Sequence, residues 1–181
     1  MRTVLFAPLL LSAVLLLSAC GGDGGDEPSP PGSGGEVVSG GGGDTLPRPP
    51  PATASAGGKS VEMGIGSYCW QTACVDMIGH ITHGTLSVAR GARVSVAVPK
   101  GAGEVKEASV IALRASGQPE KLDSGEEAWP ILEGDALNLA ATVAGGEVTF
   151  TAALQPGRYV VSVLVGVERG DVSYGVVLSI Q

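Results

Sequence analysis

Nine residues between Met63 and His83 concentrate the chemistry of this chain: Met63, Tyr68, Cys69, Trp70, Cys74, Asp76, Met77, His80 and His83. Both histidines lie here, with two of the three cysteines and one of the two tryptophans. Thiolate, thioether and imidazole donors together suit Cu(I), and Cys with His alone suits Zn(II). Cys69, Cys74, Met77, His80 and His83 therefore make one candidate metal set. Its spacing argues against it. Paired zinc cysteines commonly stand in Cys-x2-Cys, whereas Cys69 and Cys74 are in Cys-x4-Cys. His80 and His83 are three apart, which on a strand sends them to opposite faces unless the chain turns near Gly79 or Gly84. A thiol redox centre would want Cys-x2-Cys at a strand-to-helix junction, which is missing.

Other chemistries find less support. No Gly-x-Ser-x-Gly elbow marks a nucleophilic serine. The run Gly40 to Gly43 precedes Asp44 rather than the Lys-Ser/Thr pair of a phosphate loop. Glu126 and Glu127 are adjacent in an acidic stretch from Asp123, which reads as an exposed, solvated loop. No catalytic set and no cofactor motif emerges, so the chain reads as a non-enzymatic protein.

The elements that must hold residues 63–83 are strands. From about Lys59 to Gln181, short alternating apolar runs are separated by Gly, Pro and Asp. In 147–154, Val148, Phe150, Ala152 and Leu154 share one face. Residues 158–167 are apolar on both parities, which predicts a central strand covered on both sides. After the turn Glu168 to Asp171, the residues Val172, Tyr174, Val176, Leu178 and Ile180 form a last apolar face. Residues 93–98 and 107–115 follow the same pattern, and 136–154 reads as one hairpin about Gly145-Gly146. Seven to nine strands without a helix predict an all-β, Greek-key β-sandwich. The piece Leu154-Gln155-Pro156-Gly157-Arg158-Tyr159 resembles the corner before a late strand of immunoglobulin-like and related bacterial modules. That resemblance implies a Tyr159 hydroxyl tied to upstream backbone, or equally a plain core tyrosine. Gly66-Ser67-Tyr68-Cys69-Trp70 with Cys74-Val75-Asp76 resembles a segment of small uncharacterised secreted bacterial domains, which carries no activity with it.

The chain opens with Met1 and Arg2, an apolar run from Val4 to Leu17, then small residues. This is the layout of a secretory leader, too short for a spanning helix. Its ending, Leu17-Ser18-Ala19-Cys20, resembles the lipobox of bacterial lipoproteins. The resemblance implies cleavage after Ala19, a diacylglyceryl group on the Cys20 sulfur, further acylation of the palmitate kind, and a membrane anchor in the bacterial cell envelope. Residues 1–19 are thus read as signal, 20–58 as lipidated cysteine and disordered Gly/Pro/Ser-rich tether, and 59–181 as the folded domain. The tether composition cannot bury enough surface to offset ordering entropy, and as a flexible coil it spans roughly 35 Å. With Cys20 claimed by lipid, Cys69 and Cys74 are left as an even pair in an oxidising compartment, where a disulfide is expected.

Charge narrows the partners. The chain carries net −7, and from Lys59 onward 9 Lys+Arg stand against 13 Asp+Glu, a net −4 with the signs interspersed. No basic block exists to neutralise phosphates, so nucleic acid is not an expected partner. Adsorption of the domain to anionic headgroups is disfavoured as well, leaving the lipid as the membrane contact. An envelope protein or glycan is the expected ligand class.

Overall fold

The computed structural model describes residues 47–130, Gly134 and residues 136–181. Cys20, the leader before it and the spacer as far as residue 46 lie outside the described residues. In chain order come β1 (Thr53–Ala56), β2 (Lys59–Glu62), β3 (Gly64–Trp70), β4 (Ala73–Val75) and β5 (His80–Thr82). Next are β6 (Thr85–Val88), β7 (Arg93–Ala97), a single 3-10 turn (Lys100–Ala102), β8 (Val105–Arg114), β9 (Glu120–Lys121) and β10 (Glu127–Trp129). Then follow β11 (Leu137–Leu139), β12 (Ala141–Ala144), β13 (Glu147–Thr151), β14 (Gly157–Val167) and β15 (Gly170–Ile180). The protein is all-β, as its alternating pattern predicts.

Two sheets pack face to face. One runs β12-β13-β7-β1-β2. The other runs β11-β8-β14-β15-β3-β4, with β6 beside the second half of β15 as a parallel pair in an otherwise antiparallel sheet. Val94, Val96, Val148 and Phe150 from the first meet Val161, Val163, Tyr174 and Val176 from the second in one buried cluster. Each such side chain contributes roughly 1.5–3 kcal/mol on burial. Period-two alternation along β7, β13 and β15 aims these residues inward, which explains the sandwich from sequence alone.

A third, smaller sheet, β5-β10-β9, sits on the outer face of the larger one. It covers Leu113, Val160 and Val177 with Trp129. Trp129 donates its indole N–H to Thr82 Oγ1 at 3.1 Å, and the Arg158 guanidinium lies 5.2 Å from its ring centroid. Burial of a tryptophan with its polar handle satisfied is the arrangement its chemistry favours.

Several expectations need correction. The domain does not begin at Lys59. Residues 53–56, read as tether, form β1 between β7 and β2, with Ala52, Ala54 and Ala56 buried. Alanines alternating with Thr53 and Ser55 give too weak an apolar signal to stand out beside the prolines, yet their small size suits a closely packed sheet interior. Gly57 and Gly58, both with positive φ, make the β1–β2 hairpin turn. Residues 136–154 are not one simple hairpin. Leu139 pairs with Val110 in the larger sheet and Ala141 with Phe150 in the smaller, so the chain changes sheets at Ala140. Tyr159 is a core tyrosine, 3 % exposed. The hydroxyl tied to upstream backbone is that of Tyr174, which donates to the Pro50 carbonyl at 3.0 Å. Finally, β14 is covered on both sides only at its Val160 end; Leu164 is 49 % exposed.

Candidate functional site

The segment 63–83 builds β3, β4 and β5 and scatters its reactive side chains. Met63 and Trp70 enter the main core, and Tyr68 packs against it half-buried. Cys69 and Cys74 stand directly opposite each other across the β3–β4 hairpin, with Cα atoms 4.0 Å apart, and are joined by a disulfide. Asp76 is held by the Ser67 hydroxyl at 2.7 Å, and Ser67 Oγ accepts the Met77 N–H at 2.9 Å. His80 lines one cavity and His83 another. Two of the five candidate metal donors are thus bridged to each other and the two imidazoles open into different cavities. Among the described residues no group of three His, Cys, Asp or Glu side chains converges.

His80 Nδ1 lies 3.2 Å from the hydroxyl oxygen of Ser162, on β14. Burial holds the imidazole below its usual range, so it is neutral at pH 7. The backbone of β14 around Ser162 is paired on both sides, to β8 and to β15. Its N–H groups are therefore committed to the ladders and do not offer the free donors that stabilise an oxyanion. The pair orients a neutral ring at the wall of a cavity of about 290 Å³.

That cavity is one of three that share Leu164; the others measure about 260 and 340 Å³. Together they form a groove over the uncovered half of the larger sheet. Strand register arranges its floor in rows across β8, β14 and β15. Ile111 and Ser162 make the first row, Ser109, Leu164 and Ser173 the second, and Glu107, Gly166 and Asp171 the third. The groove passes from apolar and imidazole character at His80, through hydroxyls, to carboxylates. The opposite face of the molecule differs. There Thr142, Thr149, Ser95, Ser55 and Ser60 stand in one row across all five strands, a surface suited to water. A larger cleft of about 510 Å³ beside Gly145-Gly146 carries mixed charge, with Lys100, Glu104 and Lys106.

A second polar cluster was hidden in the acidic stretch. Glu126 is not solvated: it is 8 % exposed. It accepts the Ile65 N–H at 3.1 Å, the Ser124 hydroxyl at 3.0 Å and the Arg48 guanidinium at 3.2 Å. Burial alone pushes this carboxyl up, but the Ile65, Ser124 and Arg48 contacts outweigh it and hold the group below its usual range. With the Tyr174–Pro50 bond, this cluster fastens the proline-rich entry segment to the domain. Nothing local in Ser124-Gly125-Glu126 announces it, because the partners lie 61 and 78 residues away.

The molecule is an all-β protein with two packed sheets, a small covering sheet and an amphipathic groove beside it. No protein-family model matches the chain, and no curated protein or solved structure matches it either.

Proposed function

We propose that this is a lipid-anchored protein of the bacterial cell envelope, facing the periplasm or exterior, whose domain binds an envelope protein or glycan without catalysing a reaction. The observation that carries the reading is the disulfide across β3 and β4, which persists in oxidising compartments and is rare elsewhere. It agrees with export through the leader and with the lipobox resemblance at Leu17-Ser18-Ala19-Cys20. The Gly/Pro/Ser-rich stretch from Gly21 to residue 46 supplies a spacer between anchor and domain. An acidic net charge supports a partner other than nucleic acid.

The test has two parts. C20S should move the protein from the membrane fraction to the soluble exported fraction and abolish incorporation of labelled fatty acid. In-cell crosslinking of the full chain should join it to a defined envelope component. Retention of C20S in the membrane would refute the anchor, and absence of any crosslinked neighbour would refute the binding role.

A further inference from the structure

The covering sheet leaves the outer face of the larger sheet open around Leu164, where an apolar side chain is bordered by hydroxyls and carboxylates. Leu164 sits on β14, flanked by β8 and β15, and remains 49 % exposed. Ile78, 92 % exposed, lies in the loop between Asp76 and Gly79, both of which border the same groove. Exposed apolar surface rimmed by polar groups is the kind that partners cover, and Leu164 lies at the meeting point of all three cavities.

The charge at one end is one-sided. An ideal Cβ placed on Gly166 would lie 3.2 Å from Glu107 Oε1 and 3.3 Å from Asp171 Oδ1, so both carboxylates lean over the space that this glycine leaves open. Among the described residues neither carboxylate has an ion-pair partner, and no Lys or Arg lines any of the three cavities. Like charges brought together without compensation favour an incoming cation.

Geometry states how that cation should be presented. Leu164 and Gly166 are two residues apart on one strand, about 6.6–6.8 Å along the sheet. An extended peptide lying along β14 repeats its side chains on one face at the same interval. The hydroxyls of Ser109 and Ser173, on either side of Leu164, are placed to meet its backbone. We propose that this groove docks an extended segment of a partner protein carrying the pattern apolar-x-Lys/Arg, its apolar side chain on Leu164 and its cation between Glu107 and Asp171. This rests on the binding-module reading above and assigns it a surface and a ligand chemistry.

The experiment uses the full chain in neutral detergent and three fluorescent peptides of equal length. One carries a single Leu-Ser-Lys within a Gly-Ser background, the second a single Leu-Ser-Glu, and the third a single Leu-Lys-Ser, in which cation and apolar group are adjacent. Anisotropy titration should show saturable binding of the first, at least tenfold tighter than of the other two. The double variant E107Q/D171N, and separately L164S, should weaken that binding at least tenfold, while E62Q/E147Q on the opposite sheet leaves it unchanged. Thermal midpoints of the variants close to wild type show that the fold persists, since all three positions face outward. Equal affinity for all three peptides, indifference to the groove variants, or no saturable binding overturns the proposal. Self-association of the chain through L164-dependent contacts also overturns it, in favour of a second copy. If in-cell crosslinking captures the same neighbour from wild type and from L164S, the groove assignment fails and the binding reading stands; if wild type captures nothing, that reading fails first.

Discussion

Gly175 on β15 stands opposite Gly64 on β3, and the backbone of β5 rests on both. A Cβ on Gly64 would come within 2.7 Å of the Thr82 carbonyl carbon, and one on Gly175 would overlap the Ile81 carbonyl oxygen. The two glycines are a slot, cut into the larger sheet, that seats the covering sheet and through it Trp129. Over-packing of this kind costs about 1–3 kcal/mol. G175A is expected to lose at least that much stability in denaturant unfolding and to change Trp129 fluorescence. G101A, whose Cβ would meet nothing within 4 Å, is the neutral control.

The position of β1 inside the smaller sheet sets where the domain can be cut. A chain beginning at residue 59 loses Ala52, Ala54 and Ala56 from the core and leaves β2 and β7 without their shared neighbour. It is expected to show no cooperative thermal transition by circular dichroism. A chain beginning at residue 47 keeps Arg48, Pro50 and β1, and should unfold cooperatively.

Glu126 predicts a stability loss in acid. Its folded pKa lies below the ordinary carboxylate value of 4.5, so its contribution is full above that value and is lost as pH falls through the folded pKa. Unfolding measured from neutral pH downward should show wild type losing its advantage over E126Q below about pH 4.5. At neutral pH, E126A should cost about 1–3 kcal/mol, because the buried Ile65 N–H loses its acceptor. R48A should cost less than about 1 kcal/mol, since that side chain is 52 % exposed and water screens it.

Tyr174 acts at the other end of the scale. Burial pushes its hydroxyl up to about 12, from the usual 10. A raised folded pKa means the contribution is full below pH 10 and is lost as pH rises through about 12. Alkaline titration followed by tyrosinate absorbance should therefore show one tyrosine ionising late, and Y174F should remove that step. The same variant frees the Pro50 carbonyl, so faster proteolysis near Pro47 to Pro51 is expected.

Reduction of the Cys69–Cys74 bridge should be mild. Closing so short a loop is worth roughly 2 kcal/mol in the chain-entropy model. Both cysteines face outward on an edge hairpin, away from the core held by Trp70. C69A/C74A should lower the thermal midpoint by several degrees while leaving the transition cooperative.

The all-β class and the inward faces of β7, β13 and β15 could be read from residue types and spacing, because each is a local property, and the pairing of Cys69 with Cys74 from the cysteine count and the export signal. Period-two alternation survives in the chain whatever it packs against, and a cysteine pair can be counted once Cys20 is assigned to lipid. The apolar residues on both parities of 158–167 predict cover along the whole strand, and that expectation holds only in part. Val160 and Leu164 are equally apolar in the sequence, yet only Val160 receives Trp129.

Tertiary structure alone decided the rest. Glu126 looks like its acidic neighbours until Ile65 and Arg48 arrive from 61 and 78 residues away. β1 is marked by small alanines whose burial depends on strands that follow much later. His80 and His83 were grouped by sequence proximity, and β5 sends them into separate cavities. Glu107, Leu164 and Asp171 share a groove through strand register, a relation that no single stretch of chain contains. Local pattern determines which way a side chain points on its own strand; only the pairing of distant strands determines what it faces.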